Sequence, residues 1–337
     1  MNKTDEAILQ ALKINMGYQA GEAVAVAGQL WNDRFDPLYK PAFERSLRLG
    51  ETMAEVFRRA GVSTGWVTYV PEEARNGADA TPELYEKAGR PDILFMPTAF
   101  SLTHTPFRRS LTEKGVRIAS MPNFTLEMFS EGGPMSVDYR ELDRRTREVA
   151  EKLRAGRFVQ ISGPGTSMVV EVDTDHIHVS SGLLTRPGAW GNLPGAEAYA
   201  PPVHEGRSHG YFTVPAGWGG TRPLPFPFTF HVERGRFTRI DGPSEEARRY
   251  MEENIHPLIW GANDFDVLAE LGIGTNPSLN RDYILRHGWS TLVAEKIGGS
   301  AHFANGNSKS MGGVNEVPVH IDWVVDQVEI TYDFRPA

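Results

Sequence analysis

The sequence predicts an α/β protein in two parts, a doubly wound N-terminal domain followed by a β-rich α+β C-terminal domain. Three observations predict it. At 337 residues the chain exceeds the about 250–300 residues at which one hydrophobic core stops growing, so two cores are expected. Its N-terminal part alternates apolar runs with segments of helical period, the signature of a mostly parallel sheet covered on both faces. Beyond Gly156 the pattern changes to short apolar runs separated by Gly- and Pro-rich turns. The expected boundaries are 1–135 for the first domain and 155–337 for the second, with 136–154 as a connecting helix.

Each element follows in chain order. Ile8, Leu9, Leu12 and Ile14 recur at helical spacing between Thr4 and Met16, and Gly21 then precedes the alternating strand Glu22 to Val26. A long helix is expected around Phe43 to Ala60, a strand over Gly65 to Val70, a helix near Pro82 to Ala88 and a strand over Asp92 to Met96. A short helix from Phe107 to Glu113 leads to a further strand, Val116 to Ala119. The charged helix Tyr139 to Ala155 carries Leu142, Val149 and Leu153 as its buried positions. Strands are expected at Phe158 to Ile161, Met168 to Val172 and His176 to Val179, and the Gly- and Pro-rich stretch Pro187 to Pro227 reads as the longest irregular segment.

Composition removes several classes of function. With no cysteine there is no disulfide framework, thiolate nucleophile or Cys-ligated cluster, so any metal must sit on His, Asp and Glu. A net charge of −8 with scattered Lys and Arg gives no footprint for nucleic acid. No apolar run approaches the about 20 residues needed to span a bilayer, and the N-terminus lacks a signal-peptide pattern, so a cytoplasmic protein is expected. A Gly-x-Gly-x-x-Gly turn is missing after the first strand, which argues against a dinucleotide cofactor.

The residues that could carry chemistry gather towards the C-terminus. In a strand through Val317 to Val325, His320 and Asp322 project from one face while Val319, Ile321 and Trp323 point the other way, making half of an O/N metal site. His302 lies eighteen residues earlier in a Gly-flanked apolar segment, a hairpin's distance away. Glu270 stands among Val, Leu, Ala and Ile, where a carboxylate is costly unless paired or bound to metal. Glu295, seven residues before His302, could orient a ligand or a water. The C-terminal domain is therefore the expected metal-binding domain.

Five segments in order, Asn192 to Glu197, Ala269 to Pro277, Ala294 to Gly306, Gly312 to Asn315 and His320 to Asp322, resemble the thermophilic metalloaminopeptidases, the leucyl aminopeptidases of the aminopeptidase T type. Gln19 to Val26, Ser101 to Thr105 and Gly115 to Pro122 extend the resemblance over nearly the whole chain. It implies metal-dependent hydrolysis of amide or peptide bonds by a metal-activated water. Two divalent ions, zinc, cobalt or manganese, would be held by Glu197, Glu270, His302, His320 and Asp322, with Glu295 and His104 as proton-transfer groups. It further implies a homodimer acting on small molecules or short peptides, without nucleic acid or membrane partners. The same scaffold resembles that of the 2,5-dihydroxypyridine dioxygenases, which open hydroxylated heteroaromatic rings with one Fe(II) on two His and one Asp. Their counterpart of Glu270 looks like His, their counterparts of Glu197 and His302 are not ligands, and His104 matches a histidine that looks like an acid/base group in them. On this comparison the retained Glu197, Glu270 and His302 side with the hydrolases, and the Fe(II) dioxygenase is the alternative.

Overall fold

The structure is a computed structural model that describes residues 2–220 and 222–334. The chain forms two compact units, one of residues 1–140 and 182–195, the other of residues 141–181 and 196–337.

The first unit is a five-stranded, all-parallel sheet in the order Thr64–Tyr69, Val24–Gln29, Ile93–Met96, Arg117–Ser120, Trp190–Asn192. Its inner strands are buried along their whole length, which is why they read as apolar runs. The helix Lys40–Arg59 packs on the first two strands, where the Trp66 indole lies between Gly28 and Gly50. The helix Pro106–Thr112 starts at Thr105, whose hydroxyl accepts from the Arg108 amide and so satisfies one of the first-turn donors.

Two expectations are corrected here. The N-terminal helix is α-helical only over Lys3–Gln10 and continues as a π turn over Ala11–Asn15, where the buried Asn15 amide donates to the Gly182 carbonyl at 2.9 Å. The stretch from Pro187 to Pro227 also holds three strands, Trp190–Asn192, Glu197–Ala200 and His209–Val214. The first two, at three and four residues, are too short to show alternation of their own and are defined by the strands they pair with.

The second unit contains two antiparallel sheets. A six-stranded sheet runs Arg236–Asp241, Phe228–Glu233, His209–Val214, Thr166–Glu171, Phe158–Gly163, Glu329–Thr331. A five-stranded sheet runs His320–Val325, Ala301–Gly306, Leu268–Gly274, Glu197–Ala200, His178–Ser180. Aromatic contacts join the two, with Phe212 and Phe303 rings 4.5 Å apart and Phe230 and Trp323 rings 4.6 Å apart. The helix expected as a connector runs Tyr139–Ala155 and from Glu141 onward is part of this unit, where the Thr146 hydroxyl bonds that of Thr275 at 2.7 Å. No helix among the described residues is long and apolar enough to cross a membrane.

Candidate metal centre

The five-stranded sheet turns one face to its aromatic partner and gathers polar groups on the other. Register dictates which. Glu270, Ala304 and Asp322 share one row across three strands; Gly272, His302 and Val324 form the row on one side of it, and Gly306 and His320 the row on the other. Because side chains alternate, these residues all face one way, while Leu271, Phe303, Ile321 and Trp323 face the other. A bulge between Leu268 and Glu270 re-aims the start of the Glu270 strand. Glu197 enters from the neighbouring strand, opposite Gly274. The floor between the polar groups is made of Gly272, Ala304 and Gly306. At Gly272 a Cβ would stand 2.0 Å from Cε1 and 2.1 Å from Nε2 of His302.

The resulting contacts are short. His302 Nε2 is 3.1 Å from Glu270 Oε1 and 3.7 Å from Glu197 Oε2, and His320 Nε2 is 3.3 Å from both Glu270 Oε2 and Asp322 Oδ1. Donor atoms of Glu270, His302 and Asp322 lie within 4.8 Å of one another, as do those of Glu197, Glu295 and His302. Glu295 caps the short helix Thr291–Ala294 at its C-terminal end, and the next residue, Lys296, sends a fully buried ammonium to Glu197 Oε1 at 2.5 Å and Glu295 Oε1 at 2.8 Å.

Electrostatics follow from this crowding. Burial acts to raise the Glu270 carboxyl, but hydrogen bonds from His302 and His320 overcome it and hold the group well below the usual carboxylate range. Burial likewise opposes ionisation of Asp322, and the adjoining His320 reverses it and lowers the group. His302 is raised to about 9 and His320 well above its ordinary value, in each case because nearby carboxylates outweigh burial. Glu295 is pushed up to about 7 by burial, with the Lys296 charge opposing and the Glu197 and Asp322 charges reinforcing.

The donor chemistry fits a divalent cation. His320 Nδ1 lies 2.7 Å from the Asn307 carbonyl oxygen, which can only accept, so Nδ1 carries the proton and donates it. Nε2 faces two carboxylate oxygens, so it either carries a proton, as the raised value of His320 expresses, or gives up that proton and turns its lone pair to a metal ion. A backbone carbonyl behind a histidine is also the usual way of fixing a ligand's tautomer. His302 Nδ1 is buried with no hydrogen-bond partner among the described residues, which leaves Nε2 as the engaged nitrogen.

Of the residues singled out from sequence, Glu197, Glu270, Glu295, His302, His320 and Asp322 come together in the second unit. His104 belongs to the first unit, exposed, with its ring edge-on to Trp190 at 5.7 Å. Lys296, Gly272 and Asn307 were not foreseen. Only Gly272 left a trace, as a small residue two positions beyond a suspected ligand.

The sequence matches the 2,5-dihydroxypyridine 5,6-dioxygenase (NicX) family over residues 46–336. Among solved structures, the fold is similar to that of the 2,5-dihydroxypyridine dioxygenase from Pseudomonas putida KT2440, with a TM-score of 0.74 and 16% identity over 98% of this chain and 94% of that one. It is also similar to wild-type AmpT from Thermus thermophilus, with a TM-score of 0.60 and 18% identity over 97% of this chain and 94% of that one. No curated protein matches the sequence. These findings overturn the expectation of a metallohydrolase of the aminopeptidase type, because the family matched across most of the chain is a dioxygenase family. The physical reason is that carboxylates and imidazoles gathered on a sheet face specify a divalent ion, not the reaction run on it, and related scaffolds carry different chemistries. Nor does this donor set select zinc, cobalt or manganese. With 46–336 matched, the chain belongs to the 2,5-dihydroxypyridine 5,6-dioxygenase family.

Proposed function

We propose that this protein is an iron-dependent, ring-opening dioxygenase acting on a small hydroxylated nitrogen heteroaromatic of the dihydroxypyridine class. The observation that carries the reading is the family match over residues 46–336. The clustering of two imidazoles with carboxylates on one sheet face supports it, since two histidines and a carboxylate are the ligand set of non-haem Fe(II) oxygenases. When bound, ferrous iron would supply the one-electron chemistry by which dioxygen reacts with a closed-shell ring.

Within this reading His302, His320 and Asp322 hold the ion and Glu270, in contact with both histidines, completes the set. The Asn307 carbonyl keeps the His320 tautomer, and the bare floor at Gly272 lets the His302 ring lie close to the sheet. Glu270 and His302 are almost fully buried, so bulk water is excluded from that side of the centre.

The test is anaerobic reconstitution with Fe(II), followed by addition of 2,5-dihydroxypyridine and oxygen, with ring absorbance and oxygen uptake recorded together. Ring loss matched by oxygen consumption is the expected result. His320→Ala and Asp322→Ala should each lower it by more than the about 100-fold that losing a residue behind a metal ligand costs. An intact ring over an iron-loaded, folded protein would sink the assignment of substrate class.

A further inference from the structure

The cluster holds more donors than one ion needs. Its two groups of three, Glu270–His302–Asp322 and Glu197–Glu295–His302, share His302, and on donor chemistry alone each could take a divalent cation. They differ in what already serves them. In the first group no lysine or arginine reaches the carboxylates among the described ion pairs, and His320 Nε2 stands 3.3 Å from an oxygen of Glu270 and of Asp322. In the second, the Lys296 ammonium is hydrogen-bonded to one oxygen of Glu197 and one of Glu295. Its side chain is 0% exposed, so it has no solvent position to retreat to if an ion arrives.

We infer that Lys296 acts as a built-in cation that closes the Glu197–Glu295–His302 group to metal, so that its ammonium sets the number of ions the centre accepts. The inference rests on the metal reading above. The consequence is a division of labour among six acidic and imidazole side chains, five of which the resemblance assigned to one dinuclear set. Glu197 and Glu295 neutralise Lys296 and are held by it, leaving Glu270, Asp322, His302 and His320 for the ion. Lys296 is thus a positioning residue, acting through two carboxylates.

Metal content is the direct readout, with Mn(II) alone as probe and no turnover involved. The unaltered protein, stripped with chelator and titrated, should bind about one equivalent per chain, whereas Lys296→Met should bind about two, the second completing a pair of the kind found a few ångströms apart in two-metal sites. The electron paramagnetic resonance spectrum should change from that of an isolated ion to that of an exchange-coupled pair. Lys296→Arg, which keeps the charge, should restore a single equivalent. Lys296→Gln, an amide that still donates hydrogen bonds, should admit the second ion if Lys296→Met does not fold. Two equivalents in the unaltered protein, or one in a folded Lys296→Met or Lys296→Gln protein, would overturn the role of Lys296 while leaving metal binding intact. No metal in any of them would remove the metal reading itself, and this inference with it.

Discussion

At the scale of single residues, the centre depends on atoms that are absent as much as on ligands. Gly272 pairs with His302 across the strands, and the imidazole lies over the place where any larger side chain would begin. Gly272→Ala puts a methyl group 2.0 Å from Cε1 of His302, and the strand, buried throughout, has no freedom to withdraw it. The ring must turn away from Glu270. Metal affinity should fall by about 10–100-fold, the range seen when a ligand's orientation is lost, at an overpacking cost of about 1–3 kcal/mol. Titration of the folded variant with Mn(II) checks this, and an unchanged affinity would show that His302 is not a ligand. This scale also shows what sequence can and cannot reveal. His320 and Asp322 were legible because period two puts them on one face, and Glu270 because a lone carboxylate in an apolar run demands a partner. Lys296 was not legible. Beside Glu295 in the sequence it looks like any solvated ion pair, and only the fold shows both groups buried with Glu197 brought to them from another strand.

At the scale of elements, the parallel sheet of the first unit owes one of its contacts to a pair of glycines. The Trp66 ring lies against Gly28 in the neighbouring strand and Gly50 in the helix Lys40–Arg59, and a Cβ at either would come within 2.4 Å of the indole. In an exposed helix, Gly→Ala stabilises by up to about 1 kcal/mol because alanine is the better helix former. Here the sign should reverse. The indole is a rigid plate with Gly28 on its other side, and Pro97 stands 3.3 Å from the added atom, so Gly50→Ala is expected to destabilise by about 1–3 kcal/mol. Urea unfolding measures this, and a rise in the midpoint would show that the indole moves aside freely. The main strands and helices of this unit were legible up to Ser120 because the buried strands read as apolar runs and the longer helices show their period. Trp190–Asn192, the fifth strand, was not, since three residues flanked by glycine and proline carry no period and become a strand only by pairing with Arg117–Ser120.

At the scale of the whole molecule, the distribution of acidic groups predicts where metal acts on stability. Every side chain of the cluster falls in the second unit, on strands of a single antiparallel sheet or the turn beside it, and none falls in the first. Without a divalent ion, the acceptor-to-acceptor contacts of His320, Glu270 and Asp322 must be bridged by protons taken up by the histidines, which the raised His302 and His320 values express. An ion that binds only the folded state adds stability as its concentration exceeds the dissociation constant, about 2.7 kcal/mol at a hundredfold excess. That increment should appear locally. In hydrogen exchange read by mass spectrometry, adding Mn(II) to chelator-stripped protein should slow exchange in Leu268–Gly274, Ala301–Gly306 and His320–Val325, with Val24–Gln29 and Ile93–Met96 unaffected. His320→Ala should abolish the difference. Slowing spread evenly over both units would mean that the ion stabilises the chain through global unfolding rather than by tying three strands together, and equal protection in His320→Ala would place the ion elsewhere.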